Sequence, residues 1–289
     1  MDVLLTLAPI IVVLLLLTVV KWPADLSGLV GWILVTAISW WFFHTSLQVS
    51  LTGSLAGIIA SFPVSLMVAT SIFQITFLES TGALKRIVVF VKTLAKTDRA
   101  AQIMIINMGI GTLLVSVGAT PVSILPPIMI ALGYSTFVAI ALPALGFDSL
   151  CTYALLGAPL VVFSDLTGTP LTESALVFSQ FMPIISTVIG IGMLWLVGGF
   201  KAIKEGIVPC LLAGVTMGFT AVAVAHIGTG IVLTGVLGGA AAIVVMLLYL
   251  KITGKPIIDR SGISAEDRQV ERSFSLPRAL SPWLFLIGA

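Results

Sequence analysis

The chain has 289 residues, of which 58% are hydrophobic and only 9% charged, whereas soluble domains carry about 25% charge. A net charge of +2, with no basic patch interleaved with aromatics, gives no footprint for nucleic acid. Cys151 and Cys210 sit in separate apolar segments without CxxC or metal spacing, and His44 and His226 stand alone, so no cofactor and no metal site are implied. What remains is an all-α polytopic membrane protein whose helices pack in lipid.

The N-terminal run, Met1–Val20, lacks the basic region and cleavage site of a secretory signal and reads as a retained first helix. After a short loop, Leu29–Phe43 gives a second, with Trp40 and Trp41 near its end where aromatic belts collect. Leu47–Phe62 is apolar but dotted with Gln48, Ser50, Thr52, Ser54 and Ser61, so it either faces other helices or lies obliquely. Pro63–Leu78 follows and ends in Glu79-Ser80-Thr81-Gly82. Residues 82–101 set Lys85, Arg86, Lys92, Lys96 and Arg99 against Asp98, with Leu84, Ile87, Val88, Val91 and Leu94 at helical spacing. That pattern predicts an amphipathic helix on the membrane surface, cytoplasmic by the positive-inside rule.

Gly109–Pro127 (GIGTLLVSVGATPVSILPP) concentrates glycine, proline and the hydroxyls of Thr112, Ser116, Thr120 and Ser123 in an apolar region. Ile103–Val117 is helical, Gly118 and Ala119 let the backbone break, Thr120 falls at an N-cap and Pro121 at the first helical position. Residues 103–133 are therefore expected to form an interrupted helix pair near mid-membrane. Such a break is tolerated only inside protein or beside a wet cavity, and half-helix N-termini present positive ends to anions. The plainer alternative is that these glycines and prolines only permit close packing and a kink.

Further on, Ser135–Leu150 and Cys151–Phe163 are apolar, the latter with Gly157-Ala158-Pro159, and Ser164–Thr172 is polar and turn-rich. Glu173–Phe200 reads as one long helix, Lys201–Gly206 as a charged turn, and Ile207–Ala225 with Ile227–Leu250 as a glycine-rich pair with GxxxG-like spacing at Gly214 and Gly218. Residues 1–250 thus make a transmembrane bundle of ~8–10 transmembrane or re-entrant helices, each sized to the bilayer. Residues 251–280 read as a cytoplasmic hydrophilic linker without an apolar face. Residues 281–289 begin a further apolar segment, too short for the ~20 residues a span needs. The expectation is one half of a larger protein, its C-terminal half missing.

All Lys and Arg fall in loops or at helix ends. Among the acids Asp148 is deepest, with Glu79 and Asp165 nearer helix ends. A charge at mid-bilayer costs at least ~2.5–3.5 kcal/mol, so these three are candidates for coupling to a cation. The competing reading of Asp148 is a helix N-cap. With no arginine at depth, an anion would be held by helix ends, peptide N–H groups and hydroxyls. That makes Ser116, Gly118, Thr120, Pro121, Ser123 and Gly157 the candidate substrate-binding residues, with Gly157 opening a second anion-facing helix near Pro159.

Ser80–Leu171 resembles the L-lactate permease family. TGALKRIVVFVKTLAKTDRAAQIMI resembles its thr-gly-ala segment, basic helix and Asp-Arg approach to the next span. TPVSILPPIMIALGY resembles its thr-pro-val motif, and ALGFDSLCTYALLGAP a polar break closing on gly-x-pro. The sequence departs from the family where a Glu and a phe-gly turn commonly precede thr-pro-val: Leu113–Ala119 is LLVSVGA. The family's later asn-thr pair is matched by Phe147-Asp148, so Asp148 is the acid placed to substitute for the absent Glu. The resemblance implies half of an inverted-repeat secondary transporter in the inner (cytoplasmic) membrane, multi-pass. It also implies symport of a small 2-hydroxy monocarboxylate, L-lactate foremost, with H⁺. The alternatives are Na⁺ coupling or another organic anion, glycolate or a dicarboxylate. The rival from another class is an intramembrane enzyme, which needs clustered acids or a Ser/His pair that this sequence does not display.

Overall fold

The computed structural model describes residues 2–95, 97–260 and 263–281; the side chains at 2, 3, 63, 64, 67, 68, 71, 72, 74, 75, 123 and 148 fall outside that description. The further segment expected at 281–289 therefore lies outside the described residues except for Ser281. The chain divides into two compact units, Met1–Leu66 and Met67–Ala289.

In the first unit, α1 (Asp2–Leu15) runs on through a π-helical stretch to Val20, and α2 (Ala24–Trp41) packs against it. They approach closely at Gly31, where a Cβ would meet Val13 Cγ2 at 2.6 Å. Two hydroxyls near the start of α3 are spent on their own helix: Thr52 Oγ1 donates to the Gln48 carbonyl (2.9 Å) and Ser54 Oγ to that of Ser50 (2.8 Å). Ser54 Oγ also accepts from Trp32 Nε1 at 2.8 Å. The two pieces expected on either side of Pro63 form one helix, α3 (Leu47–Ser80). A proline removes one backbone hydrogen bond, and a helix of 34 residues carries that loss without breaking.

The second unit is built around a helical hairpin. One arm is α5 (Arg99–Ile103), a π-helical stretch Met104–Ile110, and α6 (Gly111–Ser116). Its start is capped by Asp98, whose Oδ1 accepts from the Ala101 N–H at 3.0 Å. The other arm, α7 (Pro121–Ala131), runs back antiparallel. Three pairings fix the direction: Arg99 lies over the Tyr134 ring (5.4 Å), Asn107 Nδ2 is 3.8 Å from Met129 Sδ, and a Cβ on Gly111 would sit 3.7 Å from Leu125 Cδ1. The expected break at Gly118–Pro121 is present, and the chain reverses there rather than resuming in line. At the ~1.5 Å rise of a helix, Ser116 lies about 25 Å from Arg99 along the hairpin. Met104 through Gly109 are all buried, enclosed by α8 (Thr136–Phe147), α11 (Met182–Ile227) and α12 (Thr234–Ile252).

α8 leads through a 3₁₀ stretch (Asp148–Tyr153) into α9 (Ala154–Thr167), and α10 (Leu171–Ser179) returns beside it with Phe163 and Phe178 edge to face at 5.0 Å. The polar segment expected as a turn over 164–172 is helical to Thr167, and the single helix expected over 173–200 is divided at Gln180-Phe181. α11 folds back on itself at Gly198 and Gly199, where backbone angles leave the helical region. Lys201–Gly206, expected to be the turn, is helical; two consecutive glycines three residues earlier make the reversal cheaper. The GxxxG expectation holds in its physical content: Gly218 meets the Pro183 backbone, and a Cβ on Gly214 would lie 2.6 Å from Thr187 Cα.

The basic segment is shorter than expected and the hydrophilic one better anchored. α4 (Ala83–Lys92) ends at Lys92, and the chain turns out of it over residues 93–95. Against them lies the supposed linker: the Ala95 N–H donates to the Ile257 carbonyl (3.0 Å) and the Asp259 N–H to that of Thr93 (2.8 Å). Its helix α13 (Ala265–Ser273) docks on α4 through Lys92–Asp267 (3.2 Å) and Arg86–Glu271 (3.6 Å), while Ile257, Phe274 and Leu280 pack on the core. Composition hid this, because the apolar residues that anchor the linker are scattered rather than periodic.

Five helical stretches among the described residues are long and apolar enough to cross a membrane: Ala24–Trp41, Arg99–Ser116, Ser149–Thr167, Met182–Ile227 and Ile231–Ile252. Every Lys and Arg except Lys21 belongs to residues 85–99, 201–204 or 251–278. These segments meet at one end of the second unit, where Asp98, Arg99, Lys201, Glu205 and Lys255 line a common cavity of about 400 Å³.

Candidate functional site

At the far end of the hairpin from Arg99, α6 stops in a left-handed C-terminal turn. Gly118 has φ +85°, its N–H donates to the Val115 carbonyl (3.1 Å), and the Ala119 N–H reaches back to Leu114 (2.8 Å). A residue with a Cβ disfavours that φ, which is why glycine stands there. Thr120 is extended (φ −96°, ψ 103°), and Pro121 opens α7. Thr120 occupies the expected N-cap position, yet its hydroxyl makes no capping hydrogen bond. The first-turn N–H groups of α7 therefore have no side-chain acceptor there.

A second interruption lies in the α8–α9 passage. Leu150 leaves helical geometry, and Leu155, Leu156 and Gly157 are left-handed at φ 53°, 55° and 76°. Two consecutive leucines in that region store of order 1–2 kcal/mol each. Helical backbone resumes beyond Gly157, as expected from Gly157-Ala158-Pro159. The α12 N-terminus forms a third end: a 3₁₀ turn (Ile231–Leu233) precedes Thr234, again with no side-chain cap.

The end of α6 and the α8–α9 passage both meet the start of α12. A Cβ on Gly235 would collide with Ser116 Oγ and lie 2.8 Å from the Tyr153 carbonyl oxygen, and one on Gly157 would meet Val232 Cα at 3.4 Å. Both helix interruptions thus close on the start of α12. Ser116 is buried and spends its proton on the Thr112 carbonyl (2.6 Å), leaving lone pairs as its remaining capacity. Thr112 Oγ1 is itself buried without a partner, as are Asn107 Oδ1, Ser149 Oγ and Ser174 Oγ. The cavity on the α4-facing side of the hairpin, about 290 Å³ and bordered by Leu113, Leu114, Val117 and Ile243, exposes no polar surface, so the polar face of the break is directed elsewhere.

Of the other residues singled out in the sequence, Thr120 is exposed and Pro121 buried. Ser123 falls in the first turn of α7 and Asp148 at the head of the 3₁₀ stretch, with both side chains outside the described residues. Glu79 is exposed in the last turn of α3, and Asp165 is exposed near the end of α9; neither joins the convergence of helix ends. Among the described residues no group of three His, Cys, Asp or Glu is placed to hold a metal. Sequence reasoning passed over Asn107, Ser149 and Tyr153. A polar Asn107 in the deep apolar run Ile103–Gly109 was a usable signal; Tyr153 enters through its backbone, which no pattern of side chains reveals.

Where the start of α5 meets Lys255 the electrostatics are ordinary ion pairing. The hydrogen bond that Lys255 Nζ donates to Asp98 raises the pKa of the lysine above its usual value, with burial opposing. Burial pushes the Tyr134 phenol up to about 12 against the opposing charge of Arg99.

Helices of membrane-crossing length, two of the helical passages interrupted, and a segment of each interruption packed on the start of a third helix define a helical multi-pass membrane protein with an internal polar junction. The chain belongs to the L-lactate permease family, whose sequence profile matches residues 2–289, and is accordingly a multi-pass protein of the cell membrane. It is similar to the glycolate permease GlcA of Escherichia coli (strain K12), with 23% identity over 259 residues, or 87% of this chain and 45% of the relative. The chain thus spans about half the length of the curated relative it matches. No solved structure matches it.

Proposed function

We propose that this chain carries a substrate-binding part of a secondary transporter for small 2-hydroxy monocarboxylates, L-lactate or glycolate, coupled to H⁺. The observation that supports this most is the convergence of the two interrupted helices on Gly235, with uncapped helix N-termini at α7 and α12. Uncapped N–H groups and the positive end of a helix suit a carboxylate without needing an arginine. Ser116, Gly118, Thr120, Pro121, Ser123 and Gly157 form the substrate contacts in this reading, and Ser116, with its proton already committed, accepts from the 2-hydroxyl. Asp148 is the proton-coupling acid. Glu79 and Asp165, exposed at helix ends, are the weaker assignments. By the positive-inside rule the end carrying Arg99, Lys201 and Lys255 is cytoplasmic. Family membership and the relative's name favour a permease over an intramembrane enzyme.

A second coupling reading has its own support. Asn107 Oδ1, Thr112 Oγ1 and Ser149 Oγ are buried, neutral and unpartnered oxygens on adjoining segments, and such oxygens suit Na⁺ better than a proton. Uptake of labelled L-lactate and glycolate into proteoliposomes holding the intact permease separates these readings. Accumulation driven by an imposed pH gradient without Na⁺ supports H⁺ symport. Accumulation only with a Na⁺ gradient moves the coupling to the neutral oxygens, and no uptake of either acid removes the substrate assignment.

A further inference from the structure

At the basic end, remote from the helix breaks, α4 and the docked linker enclose a cavity of about 460 Å³ lined by Arg86, Arg260, Ile263, Arg268, Glu271 and Arg272. Four guanidiniums face one carboxylate. Glu271 Oε1 is already shared between Arg86 Nη2 (3.6 Å) and Arg260 Nη2 (3.8 Å). Of the other acids of α13, Asp267 is engaged by Lys92 at 3.2 Å, and Glu266 is exposed and does not line the cavity. Arg268 and Arg272, one turn apart on α13, have no ion pair among the described residues, and like charges at that spacing repel.

Arg86 is the decisive member. It is 7% exposed; Nε donates to the Phe274 carbonyl at 2.9 Å, and Nη1 is buried with no hydrogen-bond partner. An arginine cannot shed its charge, so a buried guanidinium nitrogen left unpaired beside three further arginines is an incomplete arrangement. What completes it is an anion with several oxygens and more than one negative charge.

We propose that this cavity is a binding site for a phosphate-bearing anion, held by Arg86, Arg260, Arg268 and Arg272. Planar guanidinium forks match phosphate oxygens two at a time, and a monocarboxylate offers too little charge to balance the cluster. Occupancy would tie α13 of the linker to α4. The phosphate has two sources, the headgroup of an anionic phospholipid or a free phosphate compound in the aqueous phase, and the chemistry of recognition is common to both.

The test measures thermal unfolding of the intact permease with inorganic pyrophosphate in neutral detergent, and separately in phosphatidylcholine nanodiscs with and without phosphatidylglycerol. Arg268→Gln with Arg272→Gln removes two exposed arms of the site, and Lys201→Gln with Lys204→Gln removes equal charge from α11 at the same end. A rise in the unfolding midpoint with pyrophosphate, with the half-effect concentration raised at least ~10-fold in the arginine variant and unchanged in the lysine variant, supports a free phosphate ligand. The same discrimination seen only with phosphatidylglycerol supports a lipid headgroup. The proposal is overturned if neither probe moves the midpoint, if the arginine variant responds like the parent, or if both variants lose the response equally.

Discussion

Ser116 and Gly235 touch where α6 ends and α12 begins, with the Tyr153 carbonyl oxygen 2.8 Å from where a Cβ on the glycine would stand. Contact among three segments at one glycine leaves no room for a methyl. Gly235→Ala is expected to push α12 away from both interruptions, at the ~1–3 kcal/mol typical of overpacking. Uptake by the intact permease should fall at least ~10-fold, and the thermal midpoint should drop by several degrees. Parental uptake with a parental midpoint would show that the convergence is not part of the transport path.

Thr120 offers a cleaner probe of the substrate reading, because its hydroxyl makes no capping bond. Thr120→Val should therefore leave folding and membrane insertion intact while raising KM for the carried acid by about 10-fold, the scale of one lost hydrogen bond to a charged ligand. Transport kinetics indistinguishable from the parent take Thr120 out of the site.

The sequence made the hairpin legible because glycine, Thr120 and Pro121 each carry a local conformational rule, and those rules agree at residues 118–121. The second interruption was visible only at Gly157. Leu155 and Leu156 break their own backbone preference, so nothing in their identity announces a left-handed turn. That the first break reverses the chain was not readable either, since the direction taken after it is set by Tyr134 on Arg99 and Met129 beside Asn107, both long-range contacts. The docked linker escaped notice for the reason that hydropathy averages over residues: Phe274 and Leu280 anchor a stretch that is polar on the whole.

Coupling is tested at Asp148. Asp148→Asn keeps size and hydrogen-bonding shape but cannot exchange a proton near neutral pH. Counterflow of labelled L-lactate down its own gradient should continue, while accumulation driven by a pH gradient should fall to the equilibrium level. Undiminished pH-driven accumulation removes Asp148 from the proton path. If accumulation proves Na⁺-driven, Ser149→Ala should instead raise the Na⁺ concentration for half-maximal uptake several-fold, since it deletes one of the unpartnered oxygens.

Lys255 and Asp98 join the linker to the start of the hairpin at 2.7 Å, and the same carboxylate caps α5 through its other oxygen. Donating to Asp98 raises the Lys255 pKa. A raised pKa in the folded state means the pair contributes fully below the unfolded value of about 10.4 and is lost as pH climbs through the higher folded one. The linker should accordingly stay pinned across the neutral range and loosen only in alkali. The lysine is 40% exposed, so solvent screening holds the pair to about 0.2–1 kcal/mol. Lys255→Met is expected to lower the thermal midpoint by at most a few degrees at pH 7, with parent and variant converging only in alkali, above the raised folded pKa of the lysine. Asp98→Ala should cost more at pH 7, because it deletes a helix cap worth about 1 kcal/mol as well as the ion pair. In a double-mutant cycle at pH 7, a coupling energy near zero between Lys255→Met and Asp98→Ala would show that the contact does not hold the linker in place.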